Sequence, residues 1–431
     1  MEITEIILFI AKDIIGNPGL FYGLLTLLGL ILLKRSYDQI IAGTVKTIAG
    51  FYILVLGAVE LMNCVAPIGD WTKSMLGVEG VIPQNWLIFG KAMTEYPTEV
   101  AMATLLGFII NLILAYVTPL KAVYVTGHIM MIWASYFVGV PAAYNFSSTE
   151  IVLLAGVACG IYYWLHTWIC YQFMKGNDRL TDEWSLGIGE ALGIATTSWL
   201  SKKIGRREVS TEELPFPESL AWLRDPMLSV AVFTTFIYLI IGLAAGPEAV
   251  AKFSGGAHWL VWLLLQGIHF GASLAALLYG VRMLLGELVP AFKGISERLI
   301  PGAVPGLDYP TMFPFAPTAV FIGFVMNLLG GILATITMVA LRFPVIILPA
   351  IWMNFWTGAM LGVFANAWGG LRATIIVPFI WGFIAPFGWA LAYPVSGIFI
   401  GVGTQDYTDY TLIGPIYGYF IKYLAETLGR T

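Results

Sequence analysis

Residues 151–169 have the sequence IVLLAGVACGIYYWLHTWI, which contains no aspartate, glutamate, lysine or arginine. About 20 apolar residues in a row are long enough to cross a bilayer as an α-helix. Similar blocks recur elsewhere in the chain, at Leu20–Leu33, Ala101–Val117, Met227–Ala245 and Ile346–Ala365. These blocks predict an all-α polytopic membrane protein.

The composition of the whole chain agrees with this prediction. Of the 431 residues, 58% are hydrophobic and only 11% are charged, whereas a soluble domain carries about 25% charged residues. A water-soluble enzyme and a disordered chain are therefore excluded. The formal net charge of −4 argues against nucleic acid as a partner. The three cysteines have no CxxC spacing and the four histidines are scattered, so we expect no metal ion and no cofactor.

The apolar segments predict about eleven membrane-spanning helices. Between them, residues 65–96 and 286–314 are punctuated by glycine and proline and are expected to hold re-entrant segments, which are tolerated at membrane depth only when protein or a cavity surrounds them. The predicted spans are 18–33, 47–64, 97–117, 121–140, 150–170, 226–246, 257–285, 315–340, 344–364, 372–395 and 411–428.

The distribution of basic residues predicts the orientation. Most of the 22 lysines and arginines fall on one side of this arrangement, and the cytoplasmic side of a membrane protein carries the positive excess. We therefore expect the N-terminus outside, the C-terminus in the cytoplasm and residues 171–225 in a cytoplasmic loop. Residues 1–17 have an amphipathic pattern and are expected to form a helix that lies on the membrane lipid.

Two parts of the chain resemble each other. Glu95–Thr98 has the sequence Glu-Tyr-Pro-Thr and Asp308–Thr311 has the sequence Asp-Tyr-Pro-Thr, and a Gly-Phe-x-x-Asn-Leu motif follows each, from Gly107 and Gly323. This predicts two five-span repeats, at 18–170 and 226–395, and a final transmembrane helix within 396–431. Repeats with an odd number of spans must be inverted, which is an architecture of transporters.

Asp308 is the first candidate for a ligand-binding residue. It follows the sequence PGAVPGL, a backbone that cannot form a continuous helix, and ionisable groups at membrane depth are costly enough to suggest function. Its carboxylate would accept hydrogen bonds from vicinal hydroxyls of a sugar-like ligand. The alternative is an aspartate that caps a turn. For Glu95, the matching residue, an N-terminal helix cap is the better explanation.

Other candidates have equally plain alternatives. His128 is suited to recognise hydroxyl groups, or else it is bonded to a backbone carbonyl. Glu190 belongs either to the cytoplasmic loop or to a re-entrant tip. Asn354, Trp356 and Thr357 combine aromatic faces with polar groups, as sugar sites do, but tryptophans also belong to interfacial belts.

Several segments together resemble the ascorbate-specific EIIC permease family of the bacterial phosphotransferase system, over nearly the whole chain. The resemblance implies a homodimer in the bacterial inner membrane, with a substrate-holding domain and a dimerising domain in each subunit. It also implies uptake of L-ascorbate, or a related sugar acid or polyol, coupled to phosphorylation by a cytoplasmic EIIB phosphocarrier. The matching segments are Gly43–Phe51, Thr126–Met130, Gly280–Leu288, Ala291–Val304, Phe315–Pro317 and Gly362–Gly370.

The resemblance also implies a set of ligand-binding positions. His128 and Asp308 match the family motif, and Asp308 is the candidate base toward the hydroxyl that receives the phosphoryl group. The family has a glutamine where this chain has Ile132, a His-Gln pair where it has Glu190-Ala191, and a Thr-Tyr pair where it has Asn85-Trp86. A carboxylate gained in a low-dielectric site repels an anion such as ascorbate. The predicted ligand site consists of Asn85, Trp86, His128, Glu190, Asp308, Asn354, Trp356 and Thr357.

Two other functions are compatible with the sequence. One is a secondary transporter or facilitator of the same family that is uncoupled from the phosphotransferase system, with Glu190 or Asp308 carrying a coupling proton. The other is a membrane-embedded enzyme, for which no zinc or nucleotide motif is present.

Overall fold

The computed structural model describes residues 5, 9–15, 17–76, 80–81, 83–214, 226–298, 300–349 and 351–430. Within them, thirteen helices and three short strands form the regular structure. The helices are α1 (Pro18–Leu32), α2 (Tyr37–Leu76), α3 (Asn85–Glu95), α4 (Pro97–Val117), α5 (Gly127–Ala142), α6 (Ser148–Met174), α7 (Ala191–Ile204), α8 (Pro226–Ala245), α9 (Pro247–Ala251), α10 (Trp259–Arg298), α11 (Pro317–Ala340), α12 (Ile351–Ala392) and α13 (Tyr410–Thr427). The strands are β1 (Ala122–Tyr124), β2 (Ser185–Leu186) and β3 (Val304–Leu307).

Four of these helices are long and apolar enough to cross a bilayer. They are Thr98–Val117, Ser148–Met174, Pro317–Ala340 and the merged segment Met353–Val395, and shorter apolar helices cover Tyr22–Leu32, Thr234–Ala245 and Trp259–Ser273. The predicted class, an all-α membrane protein, is therefore supported. Part of the predicted interfacial helix 1–17 lies outside the described residues, and Phe9–Ile15 form a π-helical turn.

The break predicted between the spans 344–364 and 372–395 is present, since the two parts of α12 meet at Gly370, whose angles of φ +65° and ψ −162° are not helical. Several other predicted boundaries were wrong, and each has a local reason. The predicted span 121–140 begins as strand β1 before α5 starts at Gly127. Helices α2 and α10 run on to Leu76 and Arg298, into the stretches expected to be re-entrant, because a proline within each does not end it.

The segment predicted as the loop 171–225 is partly structured and buried. Its residues 185–186 form β2, and Ala191–Ile204 form α7, whose inner face is buried against the core. Helix α7 has only 14 residues and ends with Lys202 and Lys203, so it lacks the length and hydropathy of a span. Residues 215–225 lie outside the described part of the chain.

The helices pack as two groups. Bundle A consists of α1, α2, α8, α9 and α10, which contact mainly one another. Bundle B consists of the other eight helices and the strands. Few contacts join the two bundles, and they include those of α10 with the turn Tyr309–Thr311 and of α1 with α5. Asp308 precedes that turn, so it lies at the boundary between the bundles.

Bundle B contains two small parallel pairings of extended chain. In the first, β3 is central and pairs with β1 on one side and β2 on the other. In the second, Val81 and Pro83 are central, since Val81 bridges to Ile347 and Pro83 bridges to Thr404, both in parallel.

The two pairings have the same place in the chain. Each central segment follows a 40-residue helix, α2 or α10. One flanking segment follows a spanning helix, α4 or α11, and the other precedes a shorter helix, α7 or α13. The chain therefore builds one arrangement twice.

The two acid-Tyr-Pro-Thr motifs are not equivalent within this arrangement. Tyr96-Pro97 begins α4, whereas Tyr309-Pro310 forms a 3₁₀ turn, and the residues that begin α11 are Pro317-Thr318. The sequence predicted that Glu95 caps α4, but it does not. It ends α3 and pairs with Lys91 one turn earlier.

Candidate functional site

Asp308 and His128 are brought together by the pairing of β1 with β3. Asp308 directly follows β3, and His128 is the second residue of α5, a few positions after β1. Because the two strands are parallel neighbours, their carboxyl ends meet at one edge. The Nε2 atom of His128 lies 3.6 Å from Oδ2 of Asp308, which is longer than a direct hydrogen bond. The other oxygen, Oδ1, accepts the backbone N–H of Tyr309 at 2.8 Å, so Asp308 also caps the turn.

A small cavity adjoins Asp308 at the boundary between the bundles. Its volume is about 10 Å³, which is about the space for one water molecule. Its lining comes from Tyr22, Phe51, Leu54 and Leu284 of bundle A and from Leu307, Asp308 and Thr311 of bundle B. This volume is too small for a sugar-sized ligand.

Glu190 is fully buried at the beginning of α7 and connects three other elements. Its Oε1 accepts hydrogen bonds from the Tyr309 hydroxyl at 2.9 Å and the Thr357 hydroxyl at 2.7 Å. Its Oε2 accepts the backbone N–H of Thr408 at 3.0 Å. Of the two interpretations of Glu190, the surface-loop interpretation is therefore wrong, since the carboxylate is part of the buried core of bundle B.

A second acid, Asp409, supports this arrangement from behind. Its Oδ1 accepts the backbone N–H of Leu192 at 2.6 Å and its Oδ2 accepts the Tyr162 hydroxyl at 2.8 Å. The ring of His166 lies 3.5 Å from the same Oδ2, and its Nε2 accepts the backbone N–H of Glu190 at 3.2 Å. A negative group at a helix N-terminus is favourable, so Asp409 stabilises the first turn of α7.

The remaining predicted residues, on α12, differ in their contacts. Thr357 and Trp356 lie close to the buried Glu190, since Thr357 donates a hydrogen bond to Glu190 and the centroid of the Trp356 ring lies 5.7 Å from that of Tyr309. Asn354 instead donates to Oδ1 of Asn327 at 2.8 Å, and so ties α12 to α11.

The two predicted residues at the start of α3 lie beside the second pairing. Asn85 is buried at the N-terminus of α3, where its amide nitrogen lies 3.9 Å from the sulfur of Met353. Trp86 is in α3, but its side chain lies outside the described ones.

Sequence reasoning missed Tyr309, His166, Asp406, Thr408 and Asp409. The last three belong to the sequence Gly401-Val-Gly-Thr-Gln-Asp-Tyr-Thr-Asp409, a polar segment between apolar helices. Like the segments before Glu190 and Asp308, it contains two glycines shortly before its acids, and that similarity was the available signal.

The site is acidic. Asp308, Glu190, Asp406 and Asp409 all lie in bundle B, and no described lysine or arginine forms an ion pair with any of them. Buried carboxylates without cationic partners repel further negative charge in a low-dielectric interior. The arrangement is suited to accept hydrogen bonds from hydroxyl groups.

Comparison with known proteins adds two findings. Residues 13–409 match the family EIIC-GAT, described as the sugar-specific permease component of the PTS system. The ascorbate-specific PTS system EIIC component of Mycoplasma pneumoniae is 27% identical to this chain in an alignment 427 residues long. The alignment covers 86% of this chain and 64% of the relative. The chain thus spans less than two thirds of that relative's length.

Proposed function

We propose that this chain, which belongs to the sugar-specific permease component family of the phosphotransferase system, takes up L-ascorbate or a related sugar acid or polyol. It is a multi-pass membrane protein and a transporter component. A cytoplasmic EIIB partner supplies the phosphoryl group that traps the substrate. The partner, the substrate and the coupling are the proposed parts of this function.

The observation that carries the proposal is the position of Asp308 beside His128. Two elements of bundle B place these side chains together at the boundary with bundle A. A ligand held there would be exposed to one side of the membrane or the other as the bundles move, as alternating access requires. Asp308 would accept the proton of the hydroxyl that is phosphorylated.

The proposed arrangement in the membrane follows from the sequence. We propose inverted five-span repeats at 18–170 and 226–395, a final helix in 396–431, an external N-terminus and a cytoplasmic C-terminus. We also propose a homodimer formed by bundle A, which leaves bundle B free to move. Scattering of the detergent-purified protein should give the mass of two chains, and the mass of one chain contradicts the dimer.

An uncoupled transporter of the same family is the second candidate. It is favoured by Glu190, a buried carboxylate with no described basic partner, because such a group can carry a proton across the membrane.

An uptake experiment tests both candidates. Proteoliposomes are loaded with a panel of EIIB proteins, phosphorylated or not, and given radiolabelled ascorbate, xylitol or arabitol. Phosphorylated product inside the vesicles supports the coupled permease. Unmodified substrate that accumulates with a proton gradient supports the second candidate, and no uptake of any compound contradicts both.

A further inference from the structure

Asp406 is a buried acid of the candidate site to which the contacts described above give no role. It lies between Thr404, which pairs with Pro83, and Thr408, which donates its backbone N–H to Glu190. Its side chain is fully buried, and it lies close enough to Glu190 for the two charges to interact. Asp406 therefore borders the candidate ligand site.

The hydrogen bonding of Asp406 differs from that of Asp409, three residues later. Asp409 accepts two short hydrogen bonds from Leu192 and Tyr162, as a structural buried acid should. Neither oxygen of Asp406 has a hydrogen bond of good geometry to a described donor, and the nearby backbone amide is that of Asn85. Buried polar atoms are nearly always satisfied, so an exception requires an explanation.

A second acceptor without a partner belongs to that same residue. The Oδ1 atom of Asn85 is buried and accepts no hydrogen bond from a described donor. Asn85 is the first residue of α3, so the N-terminus of this helix lies beside Asp406. Both oxygens of Asp406 and one of Asn85 thus have no hydrogen bond of good geometry to a described donor.

We propose that Asp406 is a specificity-determining residue, which forms with Asn85 a subsite for the hydroxyl groups of an uncharged polyol or sugar. The subsite offers acceptors to hydroxyl groups and disfavours anions, because no described lysine or arginine forms an ion pair with Asp406 or Glu190 to compensate a buried negative charge. The inference rests on the proposed permease function and chooses within its substrate range. An uncharged polyol is selected over ascorbate, which is an anion at neutral pH.

The subsite also completes the symmetry of bundle B. Asp308 and Glu190 follow β3 and β2 of the first pairing, and Asn85 and Asp406 follow Pro83 and Thr404, the corresponding positions of the second. Each pairing is therefore followed by two polar side chains, one after its central segment and one after a flanking segment. The ligand would lie between them.

The test measures binding to the full chain in lipid nanodiscs. Calorimetry gives the affinities for xylitol, arabitol and ascorbate in potassium buffer and in sodium buffer. We expect the unmodified protein to bind a polyol more tightly than ascorbate in both buffers. Asp406→Asn should weaken polyol binding by about 10- to 150-fold, and it should weaken ascorbate binding less, or strengthen it.

A second variant adds a carboxyl group instead of removing one. Asn85→Asp keeps the shape of the side chain and replaces an amide by a carboxyl group, so it should weaken ascorbate binding more than polyol binding. Asp38→Asn, on the exposed first turn of α2, is the control and should change neither affinity. Because the readout is the ratio of two affinities, a general loss of stability does not imitate the expected result.

Three results would overturn the subsite. They are tighter binding of ascorbate than of either polyol, equal loss of both ligands in Asp406→Asn, and polyol binding that requires sodium, which would make Asp406 a cation ligand. If no compound of the panel binds, the proposed permease function fails as well. Tight but unselective binding contradicts the subsite alone.

Discussion

The hydroxyl of Thr357 donates a 2.7 Å hydrogen bond to Oε1 of Glu190, although 167 positions separate them in the chain. The bond joins the beginning of α7 to the second turn of α12. Tyr309 donates to the same oxygen, so one buried carboxylate connects three segments from both halves of the chain. Glu190, a candidate site residue, thus also joins separate segments of bundle B.

Removal of the Glu190 carboxylate should destabilise bundle B. Glu190→Ala leaves the Tyr309 hydroxyl, the Thr357 hydroxyl and the Thr408 amide without their acceptor, and each buried unsatisfied group costs about 1–3 kcal/mol. We expect a clearly lower midpoint of thermal unfolding in detergent, and a smaller decrease for Glu190→Gln, which keeps one acceptor. Glu183→Ala is the control because Glu183 is exposed. A Glu190→Ala protein as stable as the unmodified one would show that these bonds contribute nothing.

Substitution of Asp308 should affect transport and leave folding intact. Asp308→Asn keeps the shape and the turn cap but removes a charged acceptor, which costs about 1.5–3 kcal/mol for each hydrogen bond, or roughly 10- to 150-fold in affinity. We expect most uptake to be lost while the amount of protein in the membrane is unchanged. Glu95→Gln is the matched control, since Glu95 has the same sequence motif but makes only a surface ion pair. Normal uptake by Asp308→Asn would contradict the site assignment.

Cysteine labelling tests the proposed orientation in the membrane with little background. All three native cysteines are buried, whereas Lys203, at the C-terminal end of α7, and Lys252, directly after α9, are exposed. In intact cells, an impermeant maleimide should label Lys252→Cys and leave Lys203→Cys unlabelled. Inside-out vesicles should give the opposite pattern. Labelling of Lys203→Cys from outside the cell would contradict the proposed topology. It would also place the surface expected to contact the EIIB partner outside the cell.

The bend of α12 should depend on glycine at position 370. Its φ of +65° costs an L-residue about 1–2 kcal/mol, and an added Cβ would collide with the backbone oxygens of Arg206 and Val209. Gly370→Ala should therefore lower the midpoint of thermal unfolding. Gly90→Ala is the control, because Gly90 is helical and its Cβ would meet nothing within 4 Å. Equal behaviour of the two variants would mean that the bend is not needed.

The sequence determined the helices whose apolar stretch is long. The predicted spans 97–117, 315–340 and 411–428 agree with α4, α11 and α13 to within a few residues, because hydropathy and length are local properties. The gap predicted between the spans 344–364 and 372–395 contains Gly370, where α12 bends. The sequence also indicated Asp308 as a polar residue in a backbone broken by glycine and proline.

Only the tertiary structure decided which residues meet. Strands of two to four residues carry no periodic signal, yet their parallel pairing places Asp308 beside His128. The hydrophilic end of α7 made this segment look like a loop in the sequence. In the structure the segment is a helix, and Glu190 is buried at its other end. Asp406 and Asp409 lie three positions apart, and nothing in that spacing shows that one is satisfied and the other is not. Hydropathy depends on each residue's own transfer free energy, whereas the hydrogen bonding of a buried acid depends on donors that distant segments bring to it.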